Sequence, residues 1–246
     1  MKARITLSNF IFKCDLSQGI DISVPHVQTL AWDSPQVKIE PVTAGDWTGS
    51  VDAGAPVNFC NVFFNPHGTG THTEGPGHIL PGKPSVNAHV PKGIMLALLI
   101  SVFPEQTENG YAVTRRILQD LWPQDVYFTA LIIRTLPNDR AVKTSDRSGT
   151  NPPYITTDAM RFINEKRIEH LLFDQPSVDP EKDNGELAAH KVFWNVPNQP
   201  RFDKTITELI FVPDEAEDGF YALNIQTAPF ENDALPSRPV LFPVEF

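Results

Sequence analysis

The chain has 246 residues, 30 of them acidic and 20 basic, for a formal charge of −10. Phosphate binding needs clustered Lys and Arg, and no basic run occurs, so nucleic acid and an anionic membrane surface are excluded as partners. A chain that is 41% hydrophobic and 20% charged is globular rather than disordered, and we read residues 1–246 as a single domain because no shift of composition divides them.

In chain order, residues 1–9 lack the apolar stretch of a secretory signal, which makes a cytoplasmic protein the expectation. Residues 4–7 and 20–24 alternate apolar and polar, as half-buried strands do. Cys14 and Cys60 are too few for a disulfide framework and read as small buried hydrophobes. Residues 25–56 hold Pro25, Pro35, Pro41 and Pro56 with Trp32 and Trp47. That stretch reads as a long shaped loop whose two Trp belong either to the core or to an aromatic wall over a site. Residues 57–64 are strand-like. The run 94–100 is the longest apolar one, far short of the ~20 residues of a membrane helix, and predicts a buried strand through residue 102. Residues 114–121 suit a short helix capped by Thr114 and ended by Pro123. A second buried strand follows at 127–136. Residues 158–168 predict a helix capped by Thr157 or Asp158, then a strand at 171–173 and a short helix at 187–194. Strands are predicted at 206–212, 220–225 and 240–244. The fold class is therefore α/β, with a mixed β-sheet and few helices.

One segment concentrates chemistry. Residues 67–78 hold His67, His72, His78 and Glu74. His72 and Glu74 are two apart, so an extended backbone sends both side chains from one face. Gly75-Pro76-Gly77 then forces a turn before His78. Imidazole and carboxylate are ligands of zinc, manganese and iron, although the spacing is not the His-Glu-x-x-His of a zincin helix. A glycine-rich turn with incidental histidines is the alternative. His190, taken alone, reads as a surface or capping histidine, and Glu208 as a solvent-facing residue of a strand. His26, His89 and His170 have no partner in any pattern.

Gly70-Thr71-His72-Thr73-Glu74-Gly75-Pro76-Gly77-His78 resembles the signature of the cyclase family of metal-dependent hydrolases, which includes bacterial kynurenine formamidases. That signature is His-x-Gly-Thr-His-x-Asp-x-Pro-x-His, here with Glu for Asp. Phe173-Asp174-Gln175-Pro176-Ser177-Val178-Asp179, the later His190, Ile206-Thr207-Glu208-Leu209 and Asp21-Ile22-Ser23 resemble further family segments. The first histidine of the signature falls on Gly68, with His67 one residue earlier. The resemblance implies a swivelling β/β/α fold and hydrolysis of an aryl formamide such as N-formylkynurenine, or of a cyclic amide or lactone. It implies one or two divalent ions, zinc or manganese, held by His67, His72, Glu74, His190 and Glu208, with His78 as the catalytic acid–base. It also implies a homodimer, which a chain with 16 Phe and 4 Trp could line. His67 is expected to reach the metal if Gly68 and Gly70 take positive φ and fold the extra residue into a bulge. A metal-dependent lyase or isomerase, and a non-enzymatic metal or small-molecule binding protein, are the competing functions on this scaffold.

Overall fold

The computed structural model describes residues 1–7, 10–27, 29–124 and 126–246. The first part of the chain forms β1 (Lys2–Leu7), β2 (Phe10–Asp15), β3 (Ile20–Asp21), β4 (Lys38–Pro41), β5 (Thr43–Ala44), β6 (Trp47–Thr48), β7 (Cys60–Phe63) and β8 (His72–Glu74). There follow β9 (Met95–Val102), β10 (Glu105–Thr107), β11 (Gly110–Val113), α1 (Arg115–Leu121), β12 (Ala130–Thr135), β13 (Tyr154–Ile155), α2 (Thr157–Glu165) and β14 (His170–Phe173). The remainder is α3 (Ala188–Trp194), β15 (Thr205–Glu208), β16 (Gly219–Thr227) and β17 (Ala234–Glu245).

The main sheet runs β17-β16-β9-β12-β14-β15-β8, and β8 pairs again with β17, so these strands close into a ring. β9, β12, β14 and β15 are mutually parallel, and every other junction of the ring is antiparallel. This mixed sheet with few helices is the α/β, swivelling β/β/α architecture expected from the sequence. Strand alternation sorts the core into two parts. Leu96, Leu98 and Ile100 of β9 pack, with Leu131 and Ile133 of β12, against Leu118 of α1, Met160 and Ile163 of α2 and Phe193 and Trp194 of α3. The intervening Met95, Ala97 and Leu99 pack with Ile132, Leu172, Leu223 and Leu241 in a second core.

Thr114 caps α1 as expected, its side chain accepting from the Ile117 N–H. The cap of α2 is Thr156 rather than Thr157 or Asp158, because its side chain accepts from the Ala159 N–H and leaves Thr157 as the first helical residue. That helix stops at Glu165 rather than reaching residue 168, since Arg167 turns left-handed with φ 61°. Residues 25–56 are not all loop: β4 and β7 form a two-stranded arm, with the β5–β6 hairpin between them. Cys14 is buried as expected, whereas Cys60 lies on this arm and is exposed. Trp47 also lies on the arm, against Phe59. Both Trp47 and Trp32 are more than a third exposed, so neither belongs to the core.

Candidate metal centre

The strand that carries the chemistry is held on both sides. Glu208 of β15 stands directly opposite His72, and Pro236 of β17 is its partner on the other edge. His72 and Glu74 leave on one face, as their spacing requires, while Thr73 leaves on the other and bonds Thr207 through its hydroxyl at 2.7 Å. Directly opposed cross-strand residues bring their side chains together, and His72 Nε2 lies 3.5 Å from Glu208 Oε2.

Each remaining member arrives from its own element. His190 sits in the first turn of α3. Asp179 accepts the N–H groups of Ala189 at 2.6 Å and His190 at 3.1 Å, and also takes Nδ1 of the His190 ring at 2.5 Å. That leaves His190 Nε2 facing Glu74 Oε1 at 3.0 Å and Glu208 Oε1 at 3.7 Å. Glu208 Oε1 also accepts the Val178 N–H at 2.9 Å. His78 ends a single 3-10 turn, Pro76–His78. Gly77 is needed in that turn, because a Cβ there would fall 1.9 Å from the Pro84 carbonyl oxygen. His78 Nδ1 stands 3.8 Å from Glu74 Oε2 and 3.6 Å from Asp233 Oδ2.

His67 reaches the cluster despite its shifted position. Its Nδ1 is 3.0 Å from Glu74 Oε2, off the angle of a hydrogen bond, and its Nε2 bonds Asp233 Oδ2 at 2.9 Å. The expected bulge through positive φ does not form: neither Gly68 nor Gly70 is left-handed. Gly68 is required by contact instead. A Cβ there would fall 1.9 Å from Ser34 Oγ and 2.8 Å from the Ala31 carbonyl oxygen, while the Gly68 carbonyl accepts the Ala31 N–H. Position 68 has no room for a side chain, so the imidazole comes from position 67. His26, which the sequence left unassigned, braces the same loop by bonding the Thr69 hydroxyl and the Thr71 carbonyl, each at 2.9 Å.

Burial and mutual charge set the protonation of this cluster. Burial alone would lower His67, but the carboxylates of Asp233 and Glu74 raise it to about 10. Burial opposes the charged form of His190 as well, and Asp179 and Glu74 overcome it, holding His190 well above the ordinary value. Glu74 stays ionised against its burial because His78, His190 and His67 surround it. Burial, reinforced by charged His67, pushes His72 down to about 4. Glu208 is raised by burial and by the neighbouring Glu74 charge.

The donor set fits a divalent cation. Among the described residues, His72 Nε2 and Glu74 Oε2 are buried with no hydrogen-bond partner; His67 Nδ1 offsets the Glu74 charge from 3.0 Å, whereas leaving a neutral group such as His72 Nε2 bare costs about 1–3 kcal/mol. One donor atom each from His72, Glu74 and Glu208 lies within 4.8 Å of the others, and the same holds for His67, Glu74 and His78, with Glu74 common to both groups. Imidazole with carboxylate is the donor chemistry of zinc and manganese. The cluster opens on a pocket of about 190 Å³, walled by Trp32, Pro176, Ser177, Glu181 and Leu187. All six residues singled out from the sequence are thus brought together. Asp179 and Asp233 are the members that sequence reasoning gave no role. Asp179 lay inside a quoted motif, and Asp233 had no local signal.

Comparison with known proteins agrees with this geometry. The family model Cyclase, described as "Putative cyclase", matches residues 14–180. A kynurenine formamidase from a strain of Bacillus cereus is 27% identical over 232 residues, 93% of this chain and 99% of the relative. One from Bacillus mycoides is 29% identical over 233 residues, with the same coverage. Among solved structures, a "predicted metal-dependent hydrolase" from Bacillus stearothermophilus superposes with a TM-score of 0.64 at 19% identity, covering 91% of this chain and 97% of that one. Isatin hydrolase A from Labrenzia aggregata superposes with a TM-score of 0.64 at 18% identity, covering 91% and 93%. The match over most of its length shows that the chain belongs to the Cyclase family, as an enzyme of the amidohydrolase type.

Proposed function

We propose that this enzyme is a metal-dependent hydrolase that cleaves an aryl formamide such as N-formylkynurenine, or a cyclic amide or lactone of similar size. The observation that carries the reading is the pair of buried, unpartnered donors, His72 Nε2 and Glu74 Oε2, behind a pocket that their neighbours His67, His78, His190 and Glu208 line. One or two zinc or manganese ions would be held by His67, His72, Glu74, His190 and Glu208. When bound, such an ion supplies a water of lowered pKa and polarises the substrate carbonyl. Asp179 orients His190, as carboxylates commonly do for ligating imidazoles. His78, part-exposed at the pocket wall, is the group we assign to take the proton of the attacking water and return it to the leaving nitrogen. Trp32 provides a flat apolar wall for an aromatic ring.

The likeness to kynurenine formamidases supports the amide reading, and the pocket lining agrees with a small planar substrate. The test is turnover of a panel of formanilides, N-formylkynurenine and isatin-like lactams by protein loaded with zinc or manganese, beside His78→Ala. The parent is expected to turn over at least one formanilide. His78→Ala is expected to keep its metal and lose about 10² or more in kcat. No turnover across the panel by metal-loaded parent refutes the hydrolase. Loss of metal from His78→Ala moves His78 into the ligand set.

We also propose that residues 1–246 act as one domain in a cytoplasmic homodimer. No helix among the described residues is long and apolar enough to cross a membrane. The arm supports self-association. Its register pairs Ile39 with Val62 and Pro41 with Cys60, so these four share one face, and all are exposed. A lone two-stranded hairpin is marginal in water. Phe63, opposite Lys38, lies on the other face, and Val51, Val57 and Phe59 add further exposed apolar residues to the same stretch of chain as the Ile39 and Val62 face. A second copy offering the same face would cover it isologously.

A further inference from the structure

The first histidine of the metal cluster is out of register, and the structure shows what replaces the missing constraint. Asp233 precedes β17, whose first residues pair with β8: Ala234 stands opposite Glu74, and the Asp233 carbonyl accepts the Gly75 N–H at 3.2 Å. The neighbouring backbone is tied down by the Val86 N–H to the Asn232 carbonyl at 2.9 Å. The Asp233 carboxylate is therefore fixed beside the strand that carries His72 and Glu74. It takes Nε2 of His67 at 2.9 Å, and the other ring nitrogen, Nδ1, is thereby aimed at Glu74 Oε2. Which nitrogen of an imidazole is free to ligate is decided by the hydrogen bond that the other one makes. A residue at position 68 cannot serve, because Ser34 and Ala31 fill the space of its side chain.

We propose that Asp233 is a positioning residue for His67: it holds the Nε2–H tautomer and so presents Nδ1 to the metal, offsetting the one-residue shift of the histidine. This rests on the metal-centre reading above. A carboxylate behind a ligating imidazole raises its basicity and fixes its orientation, and its loss costs 10–100-fold in metal affinity in comparable sites.

The test is a double-mutant cycle read as zinc affinity by competition with a chromogenic chelator, using His67→Ala, Asp233→Ala and the double variant. Asp233→Ala is expected to weaken zinc binding about 10–100-fold, and to add nothing further in the His67→Ala background. Asp233→Asn is the second variant should Asp233→Ala melt with altered circular dichroism; it keeps an acceptor for Nε2–H and is expected to recover part of the affinity. In zinc-loaded, 15N-histidine-labelled protein, the resonances missing from His67→Ala are expected to show Nε2 protonated and Nδ1 bare of hydrogen. Effects that multiply in the double variant, or a His67 ring protonated on Nδ1, overturn the proposal while leaving a metal enzyme in place. A parent that takes up neither zinc nor manganese overturns the metal-centre reading itself, and this inference with it.

Discussion

The tight packing at Gly68 is open to a quantitative test through Gly68→Ala. A single methyl group added there meets Ser34 Oγ at 1.9 Å, Ser34 Cβ at 2.6 Å and the Ala31 carbonyl oxygen at 2.8 Å. The hydroxyl could rotate away, but Ser34 Cβ and the Ala31 carbonyl move only with the backbone of residues 31–34. That backbone is itself tied to position 68 by the Ala31 N–H to Gly68 carbonyl bond at 2.9 Å. Overpacking of this kind costs about 1–3 kcal/mol, and contact with backbone rather than a flexible side-chain end places the expectation near ~2 kcal/mol. For a chain of this length that corresponds to a fall in Tm of about 4–8 °C. Urea unfolding of Gly68→Ala, Ser34→Gly and the pair is the assay. Ser34→Gly removes two of the three contacts, so the pair is expected to recover part of the loss. A Gly68→Ala variant within about 0.5 kcal/mol of the parent would refute the argument that contact, rather than backbone conformation, demands glycine here. Gly68→His, which restores the family register on paper, is expected to be worse than Gly68→Ala for the same reason.

Two other expectations concern stability and assembly. His170 is buried against the Thr205 hydroxyl, and burial lowers it to about 4; the unfolded chain therefore takes up this proton first. Its contribution is complete above about pH 6.5 and is lost as the pH falls toward 4, with a slope of up to about 1.4 kcal/mol per unit. Urea unfolding between pH 7 and 4.5 should show a shallower slope for His170→Gln, and equal slopes would count against it. Ile39→Lys combined with Val62→Lys should convert a dimer to a monomer in light scattering, and a parent already monomeric at micromolar concentration removes the arm's assigned role.

The sequence showed the site where its residues are local and obscured it where they are not. His67, His72, Glu74 and His78 fall within twelve positions and announce themselves by residue type and by the same-face spacing of a strand. His190 and Glu208 carried no such mark, because only the pairing of β15 with β8 brings Glu208 to His72, and only the Asp179 contacts at the start of α3 turn His190 toward Glu74; the family resemblance supplied them. Asp233 had neither local density nor a motif, and its role depends on the pairing of β17 with β8. One half of the arm was legible, since residues 57–64 read as a strand and hold β7, but the other half was hidden by prolines that suggested loop although Lys38-Ile39-Glu40 alternates as strands do. Of the two places left open for Trp32, the core and a wall over the site, the structure gives the second. Size and hydrophobicity favoured the core, but its backbone is left-handed, with φ 61°, and the ring stands at the pocket wall.

The ring of strands is shut by β8, a segment of only three residues, two of which are the buried His72 and Glu74. Its contacts reach far along the chain: Thr73 meets Thr207 across 134 positions, Glu74 meets His190 across 116, and nearby His67 meets Asp233 across 166. Pairings of such range form slowly, since the chain must lose loop entropy before any contact rewards it. Closing the ring and bringing the donor atoms together are therefore one event in time. A refolding experiment should recover near-ultraviolet ellipticity and metal uptake in a single slow phase, with no earlier species that holds the ion.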